Sequence, residues 1–144
     1  MYSFTSKKRI LILDKDTRLT NFVNEITLDE NYEIYTSETS EELSNRARAV
    51  KPHLILLDYA VVDSDCQMIC QNLKEDNQLK NIPLVVITAT GSKKQLSDTC
   101  KCDALFVKPQ DANAVTSQIF FGDIKNYFTY LMMKMGNPYA FASA

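Results

Sequence analysis

Lys51-Pro52-His53-Leu54-Ile55-Leu56-Leu57-Asp58 is the stretch whose reading decides the fold. A proline closes the preceding segment, an unbroken apolar tetrad follows, and an aspartate ends it. A short apolar run without alternation is the pattern of a strand covered on both faces. Related runs lie on either side: Ile10-Leu11-Ile12-Leu13 before Asp14, Leu84-Val85-Val86-Ile87 before Thr88, and Leu105-Phe106-Val107 before Lys108. A shorter strand candidate spans Glu33 to Thr36.

Helical periodicity fills the intervals. Asp16 and Thr17 offer a cap, and Leu19, Phe22, Val23 and Ile26 then repeat at i, i+3, i+4, i+7. Thr39 and Glu42 form a capping-box pair ahead of Leu43, Ala47 and Val50, and Pro52 stops that helix. A weaker helix carries Ile69, Cys70 and Leu73, and the polar segment from Ser92 to Thr99 reads as a short one. Asp111 caps a last helix with Ala112, Val115 and Ile119 directed inward. Strands alternating with helices in this way predict an α/β domain, a parallel sheet with helices on both faces.

Composition narrows the function. The 144 residues are 45% hydrophobic and 24% charged, enough for one domain with a single core. A net charge of −2 supplies no basic footprint for nucleic acid. No apolar run approaches the length of a membrane span, and Met1 to Arg9 does not resemble a leader, so a cytoplasmic protein is expected. Three scattered glycines, Gly91, Gly122 and Gly136, exclude a glycine-rich phosphate loop. A single histidine, His53, leaves little room for a triad or an imidazole metal site. Cys66, Cys70, Cys100 and Cys102 read as reduced structural thiols, because the two pairs belong near opposite ends of the sheet.

Parallel sheets carry their functional groups at the carboxyl ends of the strands. Here those positions hold Asp14, Asp58, Thr88 and Lys108. Each residue alone reads as a turn residue, a cap or a solvated charge. Together they assemble two carboxylates, a hydroxyl and an ammonium on one edge. A carboxylate can attack phosphorus, and the charge developing on phosphoryl oxygens calls for a cation and fixed donors.

At these residues the sequence resembles the receiver domain of bacterial response regulators. The matching stretches are Arg9 to Asp14, Lys51 to Asp58, Ile82 to Ala89 and Phe106 to Pro109, within residues 8–121. The resemblance implies a flavodoxin-like three-layer sandwich with a five-stranded parallel sheet of order 2-1-3-4-5. It implies a phosphoacceptor role for Asp58, with Thr88 as switch hydroxyl and Lys108 as phosphate-binding lysine. Mg2+ would be held by Asp14, Asp58 and the backbone carbonyl of Ala60. The implied partners are a histidine kinase or phosphotransfer protein and a downstream protein target, with no nucleic acid or membrane, and the implied role is a switch and not an enzyme.

Several positions depart from the family pattern. Lys15 stands where a second acid usually contacts the metal, which leaves Asp16 as the alternative ligand and implies weak Mg2+ binding. Leu105 replaces the usual aromatic switch residue, and Val62, Asp63 and Cys66 replace a proline and two glycines. These departures keep open an alternative, a pseudo-receiver that binds proteins independently of phosphate. Residues 122–144 are too short for an output domain and read as a C-terminal extension. Gly122 is expected to break the chain before a new helix at 124–135, whose stripe of Ile124, Tyr127, Phe128, Leu131 and Met135 packs on its own domain or forms a dimer.

Overall fold

Parallel pairing organises the computed structural model, which describes residues 7–14, 20–21, 23–24, 32–59, 65–88, 101–107 and 114–136. Five strands, β1 (Lys8–Leu13), β2 (Tyr32–Ser37), β3 (Leu54–Asp58), β4 (Leu84–Thr88) and β5 (Ala104–Val107), form one sheet in the order β2-β1-β3-β4-β5. All four pairings are parallel, so the chain crosses over between successive strands instead of turning back as hairpins. That is the doubly wound architecture and strand order expected from the sequence.

Register explains the unbroken apolar runs. Leu11, Ile55 and Leu84 are neighbours across the sheet, as are Leu13 with Leu57 and Val86 with Leu105. This face packs on helix α1 (Ser40–Val50) through Leu43 and Ala47, and on helix α2 (Cys66–Glu75) through Cys66, Ile69, Cys70 and Leu73. Ile10, Ile12, Leu54, Leu56, Val85 and Ile87 point the other way and are equally buried. Each of these strands has no solvent side, so no polar alternation appears in its sequence.

Local chemistry sets the helix ends. The Glu42 N–H donates to the Thr39 hydroxyl at 3.4 Å, as the capping pair predicts. Helix α1 stops at Lys51, which takes a left-handed conformation (φ 54°, ψ 63°) and donates its N–H to the Ala47 carbonyl at 2.8 Å. Arg9, at the start of β1, donates from its guanidinium to the carbonyls of Val50 and Lys51 at 2.8–3.0 Å. The Cys66 and Cys70 sulfurs lie 4.0 Å apart in the core without a disulfide bond between them. Cys100, the 92–99 segment and most of the predicted first helix lie outside the described residues.

The chain divides into two compact units, Met1–Lys108 and Pro109–Ala144. The second carries helix α3 (Ala114–Gly136), and here two expectations are corrected. Gly122 does not break the helix, which runs through it without interruption. A mid-helix glycine costs only about 1 kcal/mol relative to alanine, less than the packing of a continuous apolar stripe is worth. Ile119 is not inward but 60% exposed. Among the described side chains of α3, Ile124, Phe128 and Leu131 are buried, and at ~100° per residue Ile119 sits about 140° away from Ile124. One straight helix cannot bury both faces equally. Among the described residues, no helix is long and apolar enough to cross a membrane.

Candidate functional site

The carboxyl edge of the sheet gathers the described strand-end residues. Asp58 is the last residue of β3 and half-buried, and Thr88 is the last of β4 and only 1% exposed. Leu13 pairs with Leu57, so Asp14 follows one step beyond that rung, beside Asp58. The Asp14 N–H donates to the Ser37 carbonyl at 3.1 Å, which extends the β1–β2 ladder to Asp14 and fixes its position. Lys108, Ala60, Lys15 and Asp16 lie outside the described residues.

Asp14 is the most informative group. Its side chain belongs to a residue 4% exposed. Oδ2 accepts from both the backbone N–H and the hydroxyl of Thr20, each at 2.8 Å. Oδ1 is buried with no hydrogen-bond partner among the described residues. Buried polar atoms are nearly always satisfied, and an exception calls for an explanation such as an ion site. Thr20 anchors the carboxylate by two bonds while the free oxygen stays on the edge shared with Asp58.

Thr20 escaped sequence reasoning, because nothing local marks a threonine six residues beyond a strand-end aspartate as its donor. Leu105 is buried in the core cluster, so the position of the usual aromatic switch is filled by an aliphatic side chain. His53 sits at the other end of the sheet, before β3. Its Nδ1 accepts from the Arg9 N–H at 3.0 Å, and its own N–H donates to the Arg9 carbonyl at 2.8 Å. Burial first, then the charges of Arg9 and Lys8, hold its pKa below the usual 6.5. Among the described residues, no cluster of three or more His, Cys, Asp or Glu side chains is arranged to hold a metal.

Known proteins share the fold. No protein-family profile matches the chain. In sequence it is similar to the DNA-binding dual master transcriptional regulator RpaA of Synechocystis sp., 29% identical over 119 residues, which make up 77% of this chain and 47% of that protein. The chain thus spans about half the length of this curated relative. In structure it is similar to the phosphorylated cyanobacterial phytochrome response regulator RcpA, with a TM-score of 0.71 at 22% identity, covering 88% of this chain and 94% of that one. The Mn2+-bound form of response regulator Rcp1 superposes with a TM-score of 0.63 at 19% identity, covering 83% and 90%. At such identities the structural likeness speaks for the fold. Strand order and parallel pairing agree with it: the chain has the receiver-domain fold of two-component response regulators.

Proposed function

We propose that the protein accepts a phosphoryl group on Asp58 from a histidine kinase or phosphotransfer protein and signals through contact with a downstream protein. In this reading residues 8–121 act as the receiver, residues 122–144 are a C-terminal extension, and the setting is cytoplasmic. The observation that carries the proposal is the edge itself, where Asp58 stands beside the buried, half-satisfied Asp14 and near Thr88. Similarity to a response regulator solved in its phosphorylated form supports it.

The chemistry follows from the residues. A carboxylate oxygen of Asp58 forms a bond to phosphorus while the bond from phosphorus to the donor's leaving atom breaks, and the donor keeps that electron pair. Asp58 is half-buried, as a residue that meets both the sheet and an incoming donor would be. The Thr88 hydroxyl and the Lys108 ammonium take the roles of hydrogen-bond donors to the transferred oxygens.

The orphaned Oδ1 of Asp14 fits a hard divalent cation, which prefers oxygen ligands. Asp14, Asp58 and the Ala60 carbonyl would hold Mg2+, with Asp16 as a further candidate. A bound cation supplies neutralisation of charge on the phosphoryl oxygens. The Mn2+-bound relative supports a divalent site of this kind. Lys15 brings an ammonium where a ligand is wanted, so binding is weak, and Lys15→Asp tightens it in a Mg2+ titration.

The same Lys15, together with the buried aliphatic Leu105, favours a second reading, a pseudo-receiver that binds proteins without phosphate. Intact mass after incubation with acetyl phosphate and Mg2+ separates the two. The proposal expects one added phosphoryl group, absent from Asp58→Asn. An unmodified mass at saturating donor and metal, with the protein folded, refutes it in favour of the pseudo-receiver.

A further inference from the structure

Where helix α1 ends, the backbone is strained. Lys51 takes the left-handed conformation there, and among the described residues it is the one non-glycine with a positive φ, 54°. Glycine fills such a cap position freely, whereas a residue with a Cβ adopts it at a cost. Strain of this kind persists where the surrounding structure holds it, and it concentrates at sites. The ordinary use of a lysine here, answering the carbonyls at the negative end of the helix, is already served. Arg9 donates its guanidinium to the Val50 and Lys51 carbonyls. Among the described residues the Lys51 ammonium has no partner of its own.

Lys51 lines a cavity of about 510 Å3 between the end of α1 and the loop that leads into β4. The floor of the cavity is the margin of the core. Ala47 and Leu79 belong to the core cluster, Ile82 packs against it, and Pro52 is buried beside them. Arg48 and Gln78 complete the lining. The loop wall is held by its own bonds: Leu79 and Lys80 donate their N–H groups to the Asp76 carbonyl at 3.1 and 2.8 Å, and Ile82 donates to the Leu79 carbonyl at 3.0 Å. The Arg48 guanidinium is committed to the Asp76 carboxylate and the Asn45 amide oxygen, so the charges of Arg48 and Asp76 answer each other. One unspent cation, Lys51, and one side-chain amide, Gln78, remain in the lining of an apolar floor.

We propose that this cavity binds a small organic carboxylate, the anion paired with the Lys51 ammonium and the Gln78 amide and the apolar body set against Ala47, Pro52, Leu79 and Ile82. The residues select the class. Small-molecule sites hold roughly 300–1,000 Å3 and are mostly apolar with a few placed polar groups, as this one is. A single unspent cation matches a monoanion, whereas a phosphate dianion calls for a second cation, and Arg48 is taken. Apolar lining at the margin of the core rewards a hydrocarbon body. The cavity lies ahead of β3, at the opposite end of that strand from Asp58 and roughly 13 Å away along it. It shares no residue with the carboxyl edge, so it stands whether or not Asp58 takes a phosphoryl group.

A nitrogen–proton NMR titration of the full chain with sodium 2-naphthoate tests the site. Amide shifts should gather at residues 47–51 and 78–82 and saturate with a Kd of about a millimolar, as a ligand of this size allows. Lys51→Gly removes the ammonium and suits the left-handed cap, so its melting temperature should equal or exceed that of wild type. It should nevertheless bind 2-naphthoate about tenfold more weakly, the loss of one charge-assisted contact. The uncharged 2-naphthamide has the same body, and it should bind wild type and Lys51→Gly alike, about tenfold more weakly than the carboxylate binds wild type. The proposal is overturned by Lys51→Gly binding 2-naphthoate as tightly as wild type does. Shifts centred on other residues, or no saturable shift at about ten times the expected Kd, overturn it as well.

Discussion

Replacing Asp14 by asparagine should make the metal-free protein more stable. The carboxylate is buried, its Oδ2 is held by Thr20 and its Oδ1 has no partner. Asp58 lies one strand away, and two unit charges about 5 Å apart repel by ~3 kcal/mol at an effective dielectric of about 20. Half-exposure of Asp58 screens this to about 1–2 kcal/mol. The amide NH2 takes the place of Oδ1 on the edge shared with Asp58, and donation from it to that carboxylate in place of an unsatisfied oxygen adds about 1–3 kcal/mol. Against this, the two bonds from Thr20 fall from charge-assisted to neutral, a loss of about 1 kcal/mol each. Asparagine keeps the shape and retains one oxygen for Thr20, so the net gain is about 1–2 kcal/mol. For a chain near this length, that raises the melting temperature by about 3–6 °C. The assay is calorimetry in EDTA at neutral pH, repeated with Mg2+. At ten times Kd a bound cation adds about 1.4 kcal/mol to wild type, and the variant should lose most of that increment. A variant less stable than wild type in EDTA would refute the reasoning, because it would mean that Oδ1 is well satisfied in solution. An equal Mg2+ response in both would remove Asp14 from the metal site.

Three further outcomes follow from geometry away from that edge. Because His53 has a lowered folded pKa, the unfolded chain binds its proton more readily, so this contribution is complete above pH 6.5 and is lost as pH falls from there toward the lower folded value. Denaturant unfolding across that window should show the loss in wild type but not in His53→Asn, whose amide oxygen can accept the Arg9 N–H at any pH. Asp103→Ala should destabilise by about 1–2 kcal/mol, since Oδ2 accepts from the Leu84 N–H at 2.7 Å and from Lys74 Nζ at 2.6 Å, and the exposed ion pair itself adds little; an unchanged urea midpoint would show that water replaces the carboxylate. Gly122→Ala, in dilute protein, should stabilise by about 0.5–1 kcal/mol, because the position is helical, exposed and open to a methyl group. A loss of stability there would mean that α3 is interrupted at Gly122 in solution.

The strands were legible because a strand covered on both faces has no polar side, and Ile10–Leu13, Leu54–Leu57 and Leu84–Ile87 advertise that without help from distant residues. The edge was legible for a related reason. Asp14, Asp58 and Thr88 end their runs, and a parallel sheet brings the ends of its strands together. Helix α1 was equally readable, since the Thr39 cap and the Leu43 and Ala47 face are local signals.

Tertiary structure decided the rest. Thr20 holds Asp14 from six residues away, a spacing that matches neither the helical nor the strand period. The missing partner of Oδ1 depends on everything packed around it. Arg9 reaches the end of α1 across 41 and 42 residues of sequence, beyond any periodic pattern. In α3 two apolar stripes competed, one containing Ile119 and the other Ile124, Phe128 and Leu131. Local sequence favoured both and suggested a break at Gly122. Residues three or four apart share a helix face whatever lies beyond them, so periodicity finds stripes. Which stripe is buried depends on the surface it meets, and that surface exists only once the chain has folded.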